Sequence, residues 1–155
     1  RKTQKDVDYV GVDVGRERIK ICRRLGFGER FRFKRVDVKS HSYNPMGRVK
    51  PEEFTLYFAN ESFDSVVCHS LFTHLDTEQV ASRYIYEIKR VLRHGGLLWT
   101  TWFKSPPNEV CGGTVRTVYN ISFIHEALAD FEPIYMSGGD SIDDNDQLEI
   151  ACVRR

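Results

Sequence analysis

The chain has 155 residues, 41% of them hydrophobic and 29% charged, the size and make-up of one globular domain. Its 23 Lys and Arg face 22 Asp and Glu, a formal net charge of +1, so neither nucleic acid nor an anionic membrane is expected as a partner. No apolar run approaches the roughly 18 residues that span a bilayer, and Cys22, Cys68, Cys111 and Cys152 have neither C-x-x-C nor zinc-finger spacing. They are expected to be buried structural thiols in a reducing, cytoplasmic setting, with no metal site.

Val7–Val14 (VDYVGVDV) is short and Val-rich, the pattern of a strand buried on both faces of a parallel sheet. Gly15–Leu25 predicts a helix with Ile19, Cys22 and Leu25 on one face and Arg and Lys on the other, ended by Gly26 and Gly28. Arg30–Val38 alternates. Its Arg30, Arg32, Lys34 and Arg35 interleave with Phe31 and Phe33, which fits a strand with one solvated face better than a nucleic-acid strip. Lys39–Asn60, with Pro45, Gly47 and Pro51, is expected to be a long loop of the functional kind.

Phe63–Ser70 predicts a third strand. A helix follows, capped by Asp76 or Thr77, with Ala81, Tyr84, Ile85, Ile88, Val91 and Leu92 as its apolar stripe and Gly95 and Gly96 as its breakers. Leu97–Phe103 predicts a fourth strand, Lys104–Thr117 a loop and Ile121–Ala129 a short helix. Phe131–Met136 and Leu148–Val153 are two strands joined by Ser137–Asp146, too short for a crossover helix, and so antiparallel. Asp140, Asp143, Asp144 and Asp146 in that turn lack EF-hand spacing and read as a solvated hairpin tip. The order predicts an α/β fold over residues 1–155: a three-layer sandwich, its sheet mostly parallel and ending in an antiparallel hairpin.

In open α/β sheets, ligands bind at the carboxyl ends of the strands. That singles out Asp13, Asp37, the pair His69 and Ser70, and Phe103 with Lys104. A carboxylate such as Asp13 can accept both hydroxyl protons of a ribose, or cap the helix that follows it. Asp37 can accept from an adenine amino group, or sit as an ordinary surface acid. His69, at a strand end, suits a general base, since imidazole titrates near neutral pH; His74, on the next turn, is expected to pack against the sheet. His41 and His125 are expected to be surface or core residues.

Four segments, in this order and spacing, resemble the class I S-adenosylmethionine-dependent methyltransferases, a Rossmann-like family. Tyr9–Asp13 (YVGVD) is similar to the family's acidic ribose motif, and Val36–Val38 (VDV) to its adenine-contacting motif. Phe63–Leu75 (FDSVVCHSLFTHL) resembles the strand and turn that line the methionine end. Arg90–Gly96 (RVLRHGG) resembles the turn before the fifth strand, with His94 where the family has proline. The resemblance implies S-adenosylmethionine as cofactor, contacted by Asp13, Val14, Asp37, Val38, Cys68, His69 and Ser70, and a small-molecule acceptor with His69 as catalytic base. It also implies a first strand and a G-x-G-x-G loop upstream of the ribose acid. Only 12 residues precede Asp13 and none forms such a loop. The native protein is therefore expected to be longer, this segment alone to be inactive, and Val7–Val14 and Ser65–Cys68 to be separated by a gap whose unpaired edges favour self-association. Tyr43, Tyr57, Trp102 and Phe103 are expected to wall the acceptor pocket. Two rivals stand beside this reading: an NAD(P)-dependent oxidoreductase, which also uses an acid at the second strand's end, and a non-catalytic methyltransferase-like scaffold or binding protein.

Overall fold

The computed structural model describes residues 7–105, 117–138 and 147–155. The chain forms two compact units, Arg1–Pro51 and Glu52–Arg155. No helix among the described residues is long and apolar enough to cross a membrane. Cys111, most of the loop before Thr117, and the acidic hairpin tip with Asp140, Asp143, Asp144 and Asp146 lie outside the described residues.

In the first unit, β1 (Tyr9–Asp13) pairs in parallel with β2 (Phe31–Arg35), joined by α1 (Arg16–Arg24). This is the expected strand–helix–strand order. The burial is not as expected. Tyr9 is 45% exposed and the rest of β1 only half-buried, because β1 has one paired neighbour among the described residues. Ile19 is the buried residue of α1, and Cys22 is half-buried rather than enclosed.

After β2 the chain folds back on itself. Val38 and Val49 form a parallel bridge, and Ser40 and Asn44 an antiparallel one. Gly47 lies under this fold, where a Cβ would stand 2.4 Å from the Lys39 nitrogen. Only glycine permits that approach.

The second unit holds a mixed sheet in the order β3–β4–β7–β6, with β5 also on β4. β3 (Phe63–Cys68) and β5 (Val118–Asn120) run parallel to β4 (Leu92–Ser105). β7 (Leu148–Arg154) runs antiparallel to both β4 and β6 (Phe131–Ser137). The closing antiparallel hairpin is as predicted, and the parallel character holds for the strands before it. β1 pairs only with β2 and β3 only with β4 among the described residues. β5 was not foreseen. It forms where the predicted loop gives up Lys104 and Ser105 to β4, which then pair with Tyr119 and Asn120. Residues alternate along the strands as a sheet requires. Leu98, Thr100, Trp102, Leu148, Ile150 and Cys152 are buried on one face, and Val67, Leu97, Trp99 and Tyr135 remain exposed on the other.

α2 (Glu78–Val91) starts at Thr77, whose hydroxyl accepts the Val80 N–H. Its stripe of Ala81, Tyr84, Ile85, Ile88 and Val91 is buried as the periodicity predicts. The glycines were misplaced as helix breakers. α2 stops at Val91 and runs straight into β4, where Leu92 is fully buried. Gly95 and Gly96 instead sit in a bulge. Phe63 pairs with Leu92 and Ser65 with Leu97, so two steps along β3 match five along β4. Gly95 has φ +72°, and a Cβ on Gly96 would lie 2.7 Å from the Arg93 carbonyl. The short helix α3 (Ile121–Ala127) is capped by Asn120, which accepts the Ser122 N–H.

One buried carboxylate organises this unit. Glu87 is 2% exposed, on the face of α2 that meets the segment after Phe54. It pairs with Arg83 at 3.3 Å and Arg90 at 2.8 Å, and accepts the Leu56 N–H at 2.8 Å. The same arginines donate onward, Arg83 to the Phe54 carbonyl and Arg90 to those of Leu56 and Phe58. The Phe54 ring stacks on Tyr84 with centroids 3.8 Å apart. Burial pushes the Glu87 carboxyl up, but the Arg90 hydrogen bond, the Leu56 N–H and the two guanidinium charges outweigh it and hold the group below its ordinary value.

Glu87→Ala is therefore expected to lower unfolding stability by about 2–3 kcal/mol in urea titrations, because it strands two partly buried arginines and a backbone N–H. Glu87→Gln, which keeps an acceptor, is expected to cost less. The folded-state value is depressed, so the carboxylate's contribution is fully present above its unfolded value of about 4.3 and is lost as pH falls through the lower folded value. Urea midpoints of wild type and Glu87→Gln should accordingly converge on acidification.

Candidate functional site

The predicted residues fall at strand ends, in one group per unit. In the first unit, Asp13 ends β1 and is about one-third exposed. Its Oδ1 accepts the Gly15 N–H at 2.5 Å, and its Oδ2 lies 3.8 Å from Arg18. Gly15 is the N-cap of α1 and has no side-chain cap. The carboxylate thus closes the strand-to-helix turn with one oxygen and keeps acceptor capacity on the other. The cap-like reading of Asp13 from the sequence has a physical basis in this turn.

Asp37 sits at the centre of a polar network. Its Oδ1 accepts from Arg35 at 2.7 Å and from the Asn44 amide at 3.2 Å, and Arg48 stands 3.8 Å from Oδ2. Arg35 also donates to the Val14 carbonyl, and Asn44 to that of Val38. The network therefore ties Val14 and Val38, two predicted cofactor contacts, to the same carboxylate. The Asn44 hydrogen bond first, then Arg35 and Arg48, hold the Asp37 carboxyl below its ordinary value against partial desolvation.

An open cleft of about 520 Å³ lies here, lined by Gly15, Arg18, Arg35, Asp37, Tyr43 and Arg48 among others. Arg18 rests over the Tyr43 ring at 4.5 Å. No sequence signal pointed to Asn44 or Arg18. Their partners lie across a turn that only the folded loop creates.

In the second unit, β3 ends at Cys68, followed by His69 and Ser70. Cys68 is buried, and burial alone pushes its thiol up to about 12, so it stays protonated and inert. His69 is exposed. Ser70 has φ +53°, in the left-handed region that a non-glycine residue rarely adopts. Two neighbours hold it there: its N–H donates to Thr101 Oγ1 at 2.8 Å, and its carbonyl accepts from Thr73 Oγ1 at 3.0 Å. The Ser70 hydroxyl lies 3.3 Å from His69 Nδ1 and within 3.3 Å of the Gln147 amide.

Of the expected pocket walls, Trp102 is excluded. It is fully buried, stacked on Phe72 at 3.9 Å and edge-on to Tyr119 at 5.2 Å, so it belongs to the core. His74 ends a single helical turn, Phe72–His74, and is half-buried, while His41 and His125 are exposed. Among the described residues, no group of three or more His, Cys, Asp or Glu is placed to hold a metal ion.

Open α/β sheets bind ligands at the carboxyl ends of their strands, which is where these residues stand. Comparison with known proteins narrows the class. A family profile described as a methyltransferase domain matches residues 2–100. The chain belongs to that family, the S-adenosylmethionine-dependent methyltransferases whose motif order it shares.

Solved structures of similar fold include an S-adenosylmethionine-dependent methyltransferase from Methanosarcina mazei, at 16% identity and TM-score 0.68, covering 94% of this chain and 81% of that one. Another is the cyclase SpnF, at 15% identity and TM-score 0.68, covering 97% and 67%. A third is the 1,6-didemethyltoxoflavin-N1-methyltransferase of Burkholderia thailandensis, at 17% identity and TM-score 0.63, covering 95% and 61%, with 1,6-didemethyltoxoflavin and S-adenosylhomocysteine bound. At these identities the likeness is one of fold.

The Asp37 network makes a local prediction. Asn44→Ala removes the hydrogen bond that does most to favour the carboxylate. The Asp37 carboxyl is then expected to titrate at higher pH than in the wild type, read by carbon-detected NMR of the side-chain carboxyl.

Proposed function

We propose that this protein transfers the sulfonium methyl group of S-adenosylmethionine to an oxygen nucleophile on a small molecule, with His69 as the base. The observation that carries the reading is the exposed imidazole of His69 at the carboxyl end of β3, beside the pinned peptide of Ser70. The family match runs through both compact units, which supports treating residues 1–155 as parts of one methyltransferase-like domain. It also weighs against nicotinamide chemistry.

The residues present suit the cofactor. Among the described residues, the cation paired with Asp13 Oδ2 is Arg18 at 3.8 Å, which leaves the oxygen able to accept from ribose hydroxyls. Asp37, ionised across the physiological range, can accept from an adenine amino group, with Val14 and Val38 beside it. Cys68, His69 and Ser70 are assigned to the methionine end. When bound, the cofactor supplies an electrophilic methyl group on a cationic sulfur. The protein's part is to hold and align the reactants, and His69 takes the proton that the acceptor hydroxyl loses. The near-neutral composition supports a small-molecule acceptor rather than nucleic acid. The edge of β3 that has no strand partner among the described residues supports self-association as a secondary property.

Two substitutions test the reading. Asp13→Ala is expected to weaken S-adenosylmethionine binding about tenfold to hundredfold by calorimetry, the scale of one charged hydrogen bond. Unchanged binding would mean that the carboxylate serves the Gly15 turn alone. His69→Gln is expected to leave that binding intact and to slow transfer to a panel of hydroxylated small molecules by on the order of a hundredfold to ten-thousandfold. Cofactor binding without turnover of any acceptor would favour the scaffold.

A further inference from the structure

We infer that Gln147 decides which nitrogen of His69 is free to accept a proton, acting through the hydroxyl of Ser70. The inference deepens the proposed role of His69 and rests on it. It comes from counting protons. A neutral imidazole carries one N–H, and the other nitrogen is the base. A serine hydroxyl has one proton to give and lone pairs to receive. Ser70 Oγ sits between two partners, His69 Nδ1 at 3.3 Å and the side-chain amide of Gln147, with Oε1 at 3.3 Å and Nε2 at 3.2 Å.

Two arrangements satisfy this geometry. In the first, the Gln147 NH₂ donates to Ser70 Oγ, and the Ser70 O–H donates to Nδ1. The ring proton must then sit on Nε2, and Nδ1, the only basic nitrogen, is occupied. In the second, His69 Nδ1–H donates to Ser70 Oγ, and the Ser70 O–H donates to Gln147 Oε1. Nε2 is then the basic nitrogen, on an exposed ring. Only the second arrangement leaves His69 able to act as a base without breaking the relay. We take the Gln147 carbonyl, rather than its NH₂, as the partner of Ser70 Oγ; it then selects this arrangement, because it gives the Ser70 proton somewhere else to go.

The backbone is built to hold this relay in place. Ser70 is kept in the left-handed region by bonds at both ends of its peptide, to buried Thr101 and buried Thr73. Such a conformation persists only where its surroundings over-determine it. Its consequence is that the hydroxyl, the imidazole and an amide from 77 residues further along the chain meet at one point. Gln147 is a positioning residue: it reaches the acceptor's proton through Ser70 and His69.

Nitrogen NMR on histidine-labelled full chain, at a pH where imidazole is neutral, reads the tautomer directly. His69 is identified by the signal lost in His69→Gln. In the wild type, Nδ1 is expected at the pyrrole-like shift of a protonated nitrogen and Nε2 at the pyridine-like shift. Gln147→Glu, which keeps the acceptor and removes the donor, is expected to preserve that pattern. Gln147→Leu removes the acceptor and is expected to reverse it, Nδ1 moving to the pyridine-like position, with the Ser70 and Thr101 amide shifts unchanged to show that the turn is intact. A wild type with its proton on Nε2, or a Gln147→Leu spectrum like the wild type, overturns the inference. The outcome separates from that of the base assignment. If the tautomer reverses but neither Gln147→Leu nor His69→Gln slows methyl transfer, the relay stands and His69 is not the base. If His69→Gln abolishes transfer while the tautomer ignores Gln147, the base stands and the relay falls.

Discussion

The carboxylate of Glu87 is the constraint from which most of the second unit's geometry follows. A charge buried this deeply is tolerated only when every lone pair has a donor. Here the donors come from two arginines on its own helix and from the backbone of a segment about thirty residues earlier. Those arginines then take up the carbonyls of Phe54, Leu56 and Phe58. In this irregular stretch, the Leu56 N–H and the carbonyls of Phe54, Leu56 and Phe58 thereby find partners on α2. Its end is fixed too: the Glu61 N–H bonds the Arg90 carbonyl just before β3 begins. The path of the chain into β3, and so the place where His69 and Ser70 emerge, is tied to α2 through one side chain.

At the far end of β3 the same economy recurs with hydroxyls instead of charges. Thr73 and Thr101 are buried, and each supplies Oγ1 to one side of the Ser70 peptide. A strained residue held by buried partners has little freedom to relax, so the Ser70 turn is fixed in place. In the first unit the equivalent work falls to ion pairs. Asp37, Arg35 and Asn44 close the loop that Gly47 allows to fold tightly, and Arg18 bridges Asp13 and the Tyr43 ring.

Fold alone does not fix the chemistry. Structures of similar architecture include enzymes whose names state methyl transfer and one named as a cyclase. The scaffold supplies strand ends, and chemistry depends on what stands there. Here it is an exposed imidazole next to a hydroxyl, with an inert thiol behind them.

Local chemistry was legible in the chain itself. The stripe of α2, the Thr77 cap, the strand–helix–strand order of the first unit and the closing hairpin all follow from period, capping and loop length, which act over a few residues. So does the placement of Asp13, Asp37 and His69 at strand ends. The errors share one cause. The local pattern makes Gly95 and Gly96 helix breakers, but the sheet claims Leu92 and turns them into a bulge. It makes Trp102 a pocket wall, but Phe72 and Tyr119 enclose it. The Val-rich pattern of β1 predicts burial on both faces, and a single paired neighbour among the described residues leaves it half-exposed. Each depends on partners distant in sequence, which no local pattern encodes. The same holds for two side-chain contacts of the second unit. Gln147 meets Ser70 across 77 residues and Leu56 meets Glu87 across 31. Only closure of the tertiary structure brings such donors and acceptors within reach, because the geometry of a hydrogen bond is set by where the backbone ends up and not by the residues that flank it.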